Sequence, residues 1–328
     1  MHCIALFVAV LVVSGAAIAQ KAPSSSAAQA YPNRPVRMVI PWPPGQATDL
    51  AGRVLALKLS ELWGQQVVAD NRAGAGGMIG TDIAAKAASD GYTILAASSG
   101  PVTINPLLQK SPYDVERDLA PVASIGLSPY VLVTGTQFPA GNAKEFLALV
   151  KANPGKYSFA SSGTGATAHL IAEWFNNLSG LQVTHVPYKG SSPALTDVMG
   201  GQIAYALETA AATMPHVRSG RLKAYGVSLA RGSALTPGIE PLATAANLPG
   251  FDVGAWLGVM VPAGTPKPLV DRISAAVETA MQSAEVRERI AGIGVEVEYR
   301  RTDEFTRYLK EQQARFADII RKGNIRLE

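Results

Sequence analysis

The stretches VRMVIPWPPGQATDLAGRVLA (residues 36–56) and YSFASSGTGATAHLIAEWF (residues 157–175) each join a β-type run to an amphipathic helix. The connecting loop is rich in Pro and Gly in the first stretch and in Ser, Thr and Gly in the second. The first amides of a helix lack intrahelical acceptors, and the helix dipole places partial positive charge behind them. Each junction therefore predicts an anion site that needs no Lys or Arg, and the pair indicates two α/β domains that hold one small anion.

Strand-like and helix-like runs alternate along the chain, which is typical of α/β folds with parallel sheets covered by helices. We therefore predict the α/β class, with two doubly wound domains. The first strand is followed by a helix that carries Leu55, Leu59 and Leu62 on one face. The predicted strands are residues 36–42, 66–70, 92–97, 157–160, 183–187, 203–207, 222–228 and 256–261, and the predicted helices include 78–88, 143–152, 166–178, 193–199, 211–219 and one that begins near 302.

A segment rich in Pro and Gly, residues 237–254, is typical of a linker that returns the chain to an earlier domain. The part beyond it is too small to stand alone as a βα unit, so we assign it to the first domain. The first domain then comprises residues 31–127 and 250–328, and the second comprises residues 128–249. Two chain crossings of this kind predict a hinge.

The N-terminal segment 1–19 has an apolar run followed by small residues that end in Ala-Ile-Ala, which predicts a cleaved export signal. Residues 20–30, QKAPSSSAAQA, predict a flexible linker. Cys3 is the single cysteine and lies in the signal, so the exported chain would hold no disulfide and would depend on its core. The net charge of +4 is spread along the chain, which argues against nucleic acid as a partner.

The two loops have features that suit anion binding. Residues 43–49 combine stiff prolines with a glycine where the helix begins, which favours rigid amides that a ligand can approach closely. Residues 161–167 add hydroxyls that can donate to a carboxylate. Each loop alone also fits an ordinary capped turn, with Thr48 or Asp49 as the cap in the first. Glu208 ends the strand-like run IAYALE, at the edge where open α/β folds bind ligands.

A glycine-rich stretch, residues 74–80, follows a strand-like run and opens a helix, as a dinucleotide-binding turn does. Its glycine spacing differs from G-x-G-x-x-G, and no acidic residue follows the next strand to bind a ribose hydroxyl. We interpret this stretch as a structural turn and predict that the protein uses no cofactor.

Ser161 or Ser162 lies on a strand-to-helix turn with His169 and His185 downstream, which leaves open an exported serine hydrolase. The first glycine of the G-x-S-x-G pattern is absent. Together with His216 these are the histidines beyond the signal, and no pair of them has metal-ligand spacing. We therefore predict no catalytic residue and no metal site.

Several motifs, in order along the chain, resemble the periplasmic receptors of tripartite tricarboxylate transporters, which are known as Bug proteins. The motifs extend from about residue 31 to near the C-terminus and are YPNRPVRMVIPWPPG with Asp49, DNRAGAGGMIG, SDGYTILAASSG, SSGTGATAHL, HVPYKGSSPAL and WLGVMVPAGTPKPLV. The resemblance implies a periplasmic, monomeric receptor that performs no reaction. It implies two domains that close like a Venus flytrap over a carboxylate and deliver it to membrane transporter subunits.

The resemblance also implies which positions contact the ligand, through backbone amides and hydroxyls of both loops. The implied positions are Gly45, Gln46, Ala47, Thr48, Asp49, Ser98, Ser99, Ser161, Ser162, Gly163, Thr164, Gly165, Thr167, Tyr188 and Glu208. The implied ligand classes are di- and tricarboxylates, aromatic carboxylates and amino acids.

Three positions near the implied pocket depart from the family pattern. Gln46 replaces a glycine, Ala166 replaces a common serine, and Leu207-Glu208 replaces a frequent Phe-Asp pair. We hypothesise that Gln46 narrows the range of ligands and that Glu208 meets an ammonium group, which favours an amino acid. The same changes leave open a sensory or structural relative that has lost its ligand.

Overall fold

The structure, a computed structural model, describes residues 31–323 and residue 325. The predicted export signal (1–19) and linker (20–30) lie outside the described residues. Residues 32–323 and 325 belong to one compact unit. None of the helices within this described part combines the length and the apolar character needed to cross a membrane.

Strands and helices alternate through the described residues. The strands, numbered in chain order, are β1 (Val36–Ile40), β2 (Val67–Asn71), β3 (Thr93–Ser98), β4 (Leu119–Gly135), β5 (Ser158–Ser161), β6 (Thr184–Pro187), β7 (Tyr205–Thr209), β8 (Leu222–Val227), β9 (Gly254–Pro262) and β10 (Glu296–Arg300). The helices are α1 (Ala47–Trp63), α2 (Met78–Ala85), α3 (Asn105–Leu108), α4 (Val115–Asp118), α5 (Ala143–Lys151), α6 (Thr167–Ser179), α7 (Ser191–Gly200), α8 (Ala210–Arg218), α9 (Leu242–Ala245), α10 (Lys267–Gln282), α11 (Ala284–Gly292) and α12 (Thr302–Gly323).

The strands form one curled mixed sheet with the order β2-β1-β3-β9-β4-β7-β5-β6, and β8 and β10 also pair with β4. Strands β1, β2 and β3 are parallel to one another, as are β5, β6 and β7. Strands β4 and β9 run antiparallel to their neighbours. We call β1, β2, β3, β9, β10 and the first part of β4 the first lobe, and the rest of β4 with β5 to β8 the second lobe.

The long strand β4 links the two lobes. Its residues up to Pro129 pair with β9, and its residues from Tyr130 onward pair with β7 and β8. The chain returns between Val253 and Gly254, where β9 begins. Buried Ser228 ties the two crossings together, because its Oγ accepts the Tyr130 N–H at 3.0 Å and donates to the Val253 carbonyl at 2.5 Å.

Each lobe has an apolar core of its own. In the first lobe, Trp256 meets Phe305 edge to face at a centroid distance of 5.3 Å. In the second lobe, Phe146 lies at the centre of an aromatic cluster and meets Tyr205 edge to face at 5.1 Å. Helix α12 serves both cores, since its Phe305 packs in the first and its Phe316 in the second.

The predicted α/β class is confirmed, whereas the expectation of purely parallel sheets was incomplete. Strand β4 was not predicted, because it contains Pro121 and Pro129 and lacks a two-residue alternation. The structure accommodates Pro121 where the pairing register with β9 shifts, which removes the need for its missing N–H. Leu62, expected on the buried face of α1, is 40% exposed.

Candidate functional site

The first junction connects β1 to α1 through a turn that leaves the helix N-terminus without a side-chain cap. Gly45 has φ of +88° with open space around its Cα, and Gln46 precedes the helix in an extended conformation. The first intrahelical bond runs from the Leu50 N–H to the Gln46 carbonyl at 2.9 Å. The amides before Leu50 therefore have no acceptor within the helix, and Ala47 and Thr48 line a central cavity.

The carboxylate of Asp49 stabilises this first turn by accepting hydrogen bonds from neighbouring groups. It is 1% exposed, and its Oδ2 accepts the Gly45 N–H at 2.9 Å. Its Oδ1 accepts the Asn71 Nδ2–H at 2.8 Å and the Arg53 Nε–H at 2.9 Å. All of these partners belong to the first lobe, so the first junction is fixed by its own lobe.

The second junction, between β5 and α6, repeats the arrangement with different residues. Gly163 and Gly165 have φ of +140° and +74°, conformations that favour glycine. Ala166 precedes the helix in an extended conformation and supplies no side-chain cap. By contrast, α5 is capped by Asn142 and α8 by Thr209, whereas α7 also begins without a side-chain cap.

Two stacked histidines lie beneath the second junction. The rings of His169 and His185 are 3.9 Å apart and nearly parallel, at 10°. His169 Nδ1 accepts the Gly165 N–H at 3.3 Å, and His185 Nε2 lies 2.7 Å from Ser161 Oγ. Burial, with a smaller contribution from His169, lowers the pKa of His185 to about 3. The His185 ring is therefore neutral at ordinary pH and supports the loop through hydrogen bonding and stacking.

Both junctions and the chain crossing face the central cavity, which has a volume of about 30 Å³. Its polar wall is built mainly from hydroxyl groups, and its described lining contains no Lys or Arg. The lining residues are Trp42, Gln46, Ala47, Thr48, Ser98, Ser128, Tyr130, Ser162, Thr167, Ser191, Glu208, Thr209, Ala255 and Leu257.

The lobes touch each other beside the cavity. Ser99 Oγ of the first lobe lies 3.1 Å from Thr167 Oγ1 of the second. Asn105 Nδ2 donates to the Gly76 carbonyl at 2.9 Å, and a Cβ placed on Gly76 would lie 3.2 Å from the Gly165 carbonyl group. The glycine-rich stretch 74–80 therefore provides a close contact between lobes, in agreement with its interpretation as a structural turn.

Glu208 is the one charged side chain among the described lining residues. It is 1% exposed, and its Oε2 accepts the Ser191 Oγ–H at 2.8 Å. Its Oε1 accepts no hydrogen bond from the described residues. Burial raises the pKa of the Glu208 carboxyl, and the hydroxyls of Ser191 and Ser162 act in the opposite direction with smaller effect.

The predicted contact residues divide into two groups. The first group lines the cavity and consists of Gln46, Ala47, Thr48, Ser98, Ser162, Thr167 and Glu208. The second group lies outside the lining: Gly45, Asp49, Ser99, Ser161, Gly163, Gly165 and Tyr188 direct polar groups to protein partners, and Thr164 is exposed. Apart from Thr164 and from Tyr188, which donates to Asp197 of α7, these residues support the junctions through hydrogen bonds.

Several lining residues were missed by the sequence analysis. Ser128 and Tyr130 lie on the unpredicted strand β4, where it crosses between lobes. Trp42 and Ser191 stand inside quoted motifs, so a finer search of those motifs could have found them. Trp42 donates its indole N–H to Ser98 Oγ at 2.8 Å and thereby fixes one cavity hydroxyl.

The geometry gives little support to a serine nucleophile. Ser161 pairs with His185 but is fully buried, so a substrate carbonyl has no access to its Oγ. Ser162 lines the cavity, yet no described histidine forms a hydrogen bond with it. Across the described residues, no group of three or more His, Cys, Asp and Glu side chains is arranged to hold a metal ion.

Two α/β lobes that meet around a polar cavity, with a helix N-terminus from each, define a solute-binding receptor of the periplasmic type. Residues 51–325 match the tripartite tricarboxylate transporter family receptor, and the chain belongs to that family. BugT of Bordetella pertussis is 38% identical over 303 residues, which cover 92% of this chain and 93% of BugT.

Solved structures of similar proteins share the fold. One is an R. palustris protein solved with adipate, which has 28% identity and a TM-score of 0.86 over 90% of this chain and 99% of that chain. Another is MatC from Rhodopseudomonas palustris with bound malate, which has 30% identity and a TM-score of 0.83 over 88% of this chain and 100% of MatC. The members of this family are binding proteins.

Proposed function

We propose that this protein captures a small carboxylate in the central cavity and delivers it to a membrane transporter of the tripartite tricarboxylate type. The observation that carries the proposal is the convergence of two uncapped helix N-termini, one from each lobe, on a single cavity lined by hydroxyls. Free amides and the helix dipole together stabilise an anion without a cationic side chain. The adipate and malate found with the two solved relatives agree with this chemistry.

The energetics suit a transport receptor. Hydrogen bonds to a charged group contribute about 1.5–3 kcal/mol each. A handful of them supports micromolar binding, which needs about −8.2 kcal/mol after the ordering costs are met. Tight but reversible capture of this kind requires no chemical step, and we propose that the ligand leaves unchanged.

Binding requires movement of the lobes, because a cavity of about 30 Å³ is smaller than a dicarboxylate. We place the hinge at the crossings Pro129–Tyr130 and Val253–Gly254, close to the predicted boundaries of the domains 31–127 plus 250–328 and 128–249. The ligand stabilises the closed arrangement through contacts with both lobes. We further propose a monomer that is exported to the periplasm with removal of residues 1–19.

Titration calorimetry of the purified protein with adipate, malate and citrate tests the carboxylate proposal. At least one should bind with micromolar affinity. The variant Gln46→Asp should weaken that affinity about tenfold or more, because a capping carboxylate would occupy the amides of α1 and repel the ligand. Absence of binding across these carboxylates and across amino acids would overturn the proposal and favour a relative that has lost its ligand.

Two control variants make the Gln46→Asp result specific. Gln46→Asn changes the same position without adding charge and should weaken binding less. Asn142→Asp adds the same charge at the N-terminus of α5, outside the cavity lining, and should leave affinity unchanged. If Asn142→Asp weakens binding as strongly as Gln46→Asp, the effect is a general one of net charge.

A further inference from the structure

The part of the cavity wall that β4 and β7 form carries polar atoms without hydrogen-bond partners among the described residues. Glu208 Oε1 accepts no hydrogen bond from the described residues, although Oε2 accepts the Ser191 Oγ–H and, at 3.4 Å, the Thr209 N–H. Ser128 Oγ, in the same lining, also has no partner among these residues. A buried carboxylate oxygen without a donor is costly, so a ligand that brings a donor to this wall gains affinity.

The charges in the cavity limit which ligand can bind there. Each helix N-terminus contributes about half a positive charge, so the two junctions together balance about one negative charge. The N-terminus of α7, whose Ser191 donates to Glu208, offsets part of the charge of Glu208 itself. Two carboxylates on the ligand, added to that of Glu208, would still exceed the positive charge of these helix ends, because the described lining contains no Lys or Arg. One carboxylate at the junctions and one ammonium at Glu208 satisfy both ends.

We propose that the ligand is a small amino carboxylate whose ammonium group binds Glu208 Oε1. This inference rests on the proposed function of carboxylate capture. The carboxylate of the ligand binds the amides of the two junctions. The Ser191 hydroxyl and the Thr209 amide both donate to Glu208, which offsets part of the effect of burial on its pKa, and a cation at Oε1 would favour the ionised form further. The ammonium group adds a further charge-assisted hydrogen bond and removes the isolation of this buried charge.

Matched ligand pairs that differ only by an amino group test this inference by titration calorimetry. Suitable pairs are aspartate and succinate, glutamate and glutarate, alanine and propionate, and 4-aminobutyrate and butyrate. For at least one pair, the amine-bearing member should bind about tenfold tighter or more, the gain from one charge-assisted hydrogen bond. Equal or tighter binding of the member without the amine in every pair would overturn the inference.

Variants at Glu208 identify the group responsible. Glu208→Gln keeps the shape of the side chain but removes its charge, and should reduce the preference for the amine to about threefold or less. Glu208→Asp retains a carboxylate and should retain the preference at lower affinity. Glu311→Gln removes a charge from an exposed position on α12 and should bind as the wild type does.

The outcomes separate this inference from the proposed function. If the carboxylates without an amino group bind as tightly as their amine-bearing partners, the receptor function is supported and the proposed ammonium site is wrong. That result would fit a protonated Glu208 that donates to a second carboxylate. If Glu208→Gln keeps the full amine preference, the ammonium binds elsewhere and the inference is wrong. If none of the eight compounds binds but adipate, malate or citrate does, the inference is wrong and the carboxylate function stands.

Discussion

The two helix junctions present similar amides to the cavity but are held in different ways. At the first junction, Asp49 binds Gly45, Arg53 and Asn71, all within the first lobe. At the second junction, Thr167 and Gly165 contact Ser99, Gly76 and Asn105 of the opposite lobe. Beneath the second junction lies a stack of two histidines where the first has an ion pair.

This difference implies a division of roles, in which the first junction contributes mainly to stability and the second mainly to ligand affinity. The first is assembled when its lobe folds, so changes there should lower the stability of the protein. The second is completed when the lobes approach, so changes at its contacts should lower ligand affinity more than stability. Substitutions at the two junctions and the pH dependence of stability test that division.

Asp49→Ala should lower the free energy of unfolding by about 3 kcal/mol, because it removes a buried carboxylate that accepts several hydrogen bonds. For a protein of this size the melting temperature should fall by about 5 °C. Thermal and denaturant unfolding measure both quantities.

Asp271→Ala is the matched control for Asp49→Ala. Asp271 forms an ion pair with Lys267 at the same i,i+4 spacing, but its side chain is 55% exposed. Its loss should cost about 0.5 kcal/mol or less. Equal effects of the two substitutions would contradict a special role for Asp49 in the first junction.

Gly76→Ala should weaken carboxylate binding about tenfold. Its Cβ would lie 2.7 Å from Asn105 Nδ2 and 3.2 Å from the Gly165 carbonyl group, so it would hold the lobes apart. Gly64→Ala is the control, because Gly64 also has φ of +62° but has open space around it. Both variants carry the same backbone strain of about 1 kcal/mol, and only Gly76→Ala should alter affinity in calorimetry. Equal affinities would show that lobe contact at Gly76 does not matter for binding.

Stability should decrease as pH falls from 6.5 toward 5, and His185 should account for about 1 kcal/mol of that decrease. Its pKa of about 3 lies below the ordinary value of 6.5, so the unfolded chain binds the proton first. Stability is therefore complete above pH 6.5 and is lost progressively down to about pH 3. Solvent screens the partly exposed ring, so the stability lost on protonation is smaller than the pKa difference alone would give.

Denaturant unfolding at several pH values measures this slope in the wild type and in His185→Gln. The substitution should flatten the slope, since glutamine does not titrate. His216→Gln replaces a histidine outside the stack and should leave most of the slope in place. An unchanged slope in His185→Gln would show that the stack does not make the second junction sensitive to acid.

The sequence predicted the junctions well because their signals are local. A β-run, glycines with positive φ and an amphipathic helix all lie within about twenty residues of one another. Ser128 and Tyr130 could not be found in this way, because they reach the cavity through an antiparallel strand whose partners are more than seventy residues away. Asp49 shows a second limit of sequence-based prediction. An acidic residue in the first turn of a helix gives the same sequence pattern whether it contacts a ligand or stabilises the loop.

Ser99→Ala should weaken ligand binding by about threefold, the smallest of these effects. It removes the hydroxyl that meets Thr167 between the lobes and costs one neutral hydrogen bond in the closed arrangement. Ser60→Ala is the contrasting variant, because Ser60 links the Ala56 carbonyl to the Val67 amide within the first lobe. It should lower stability and leave affinity unchanged. If Ser99→Ala instead binds more tightly, Thr167 is released to the ligand, and the contact between lobes competes with binding instead of supporting it.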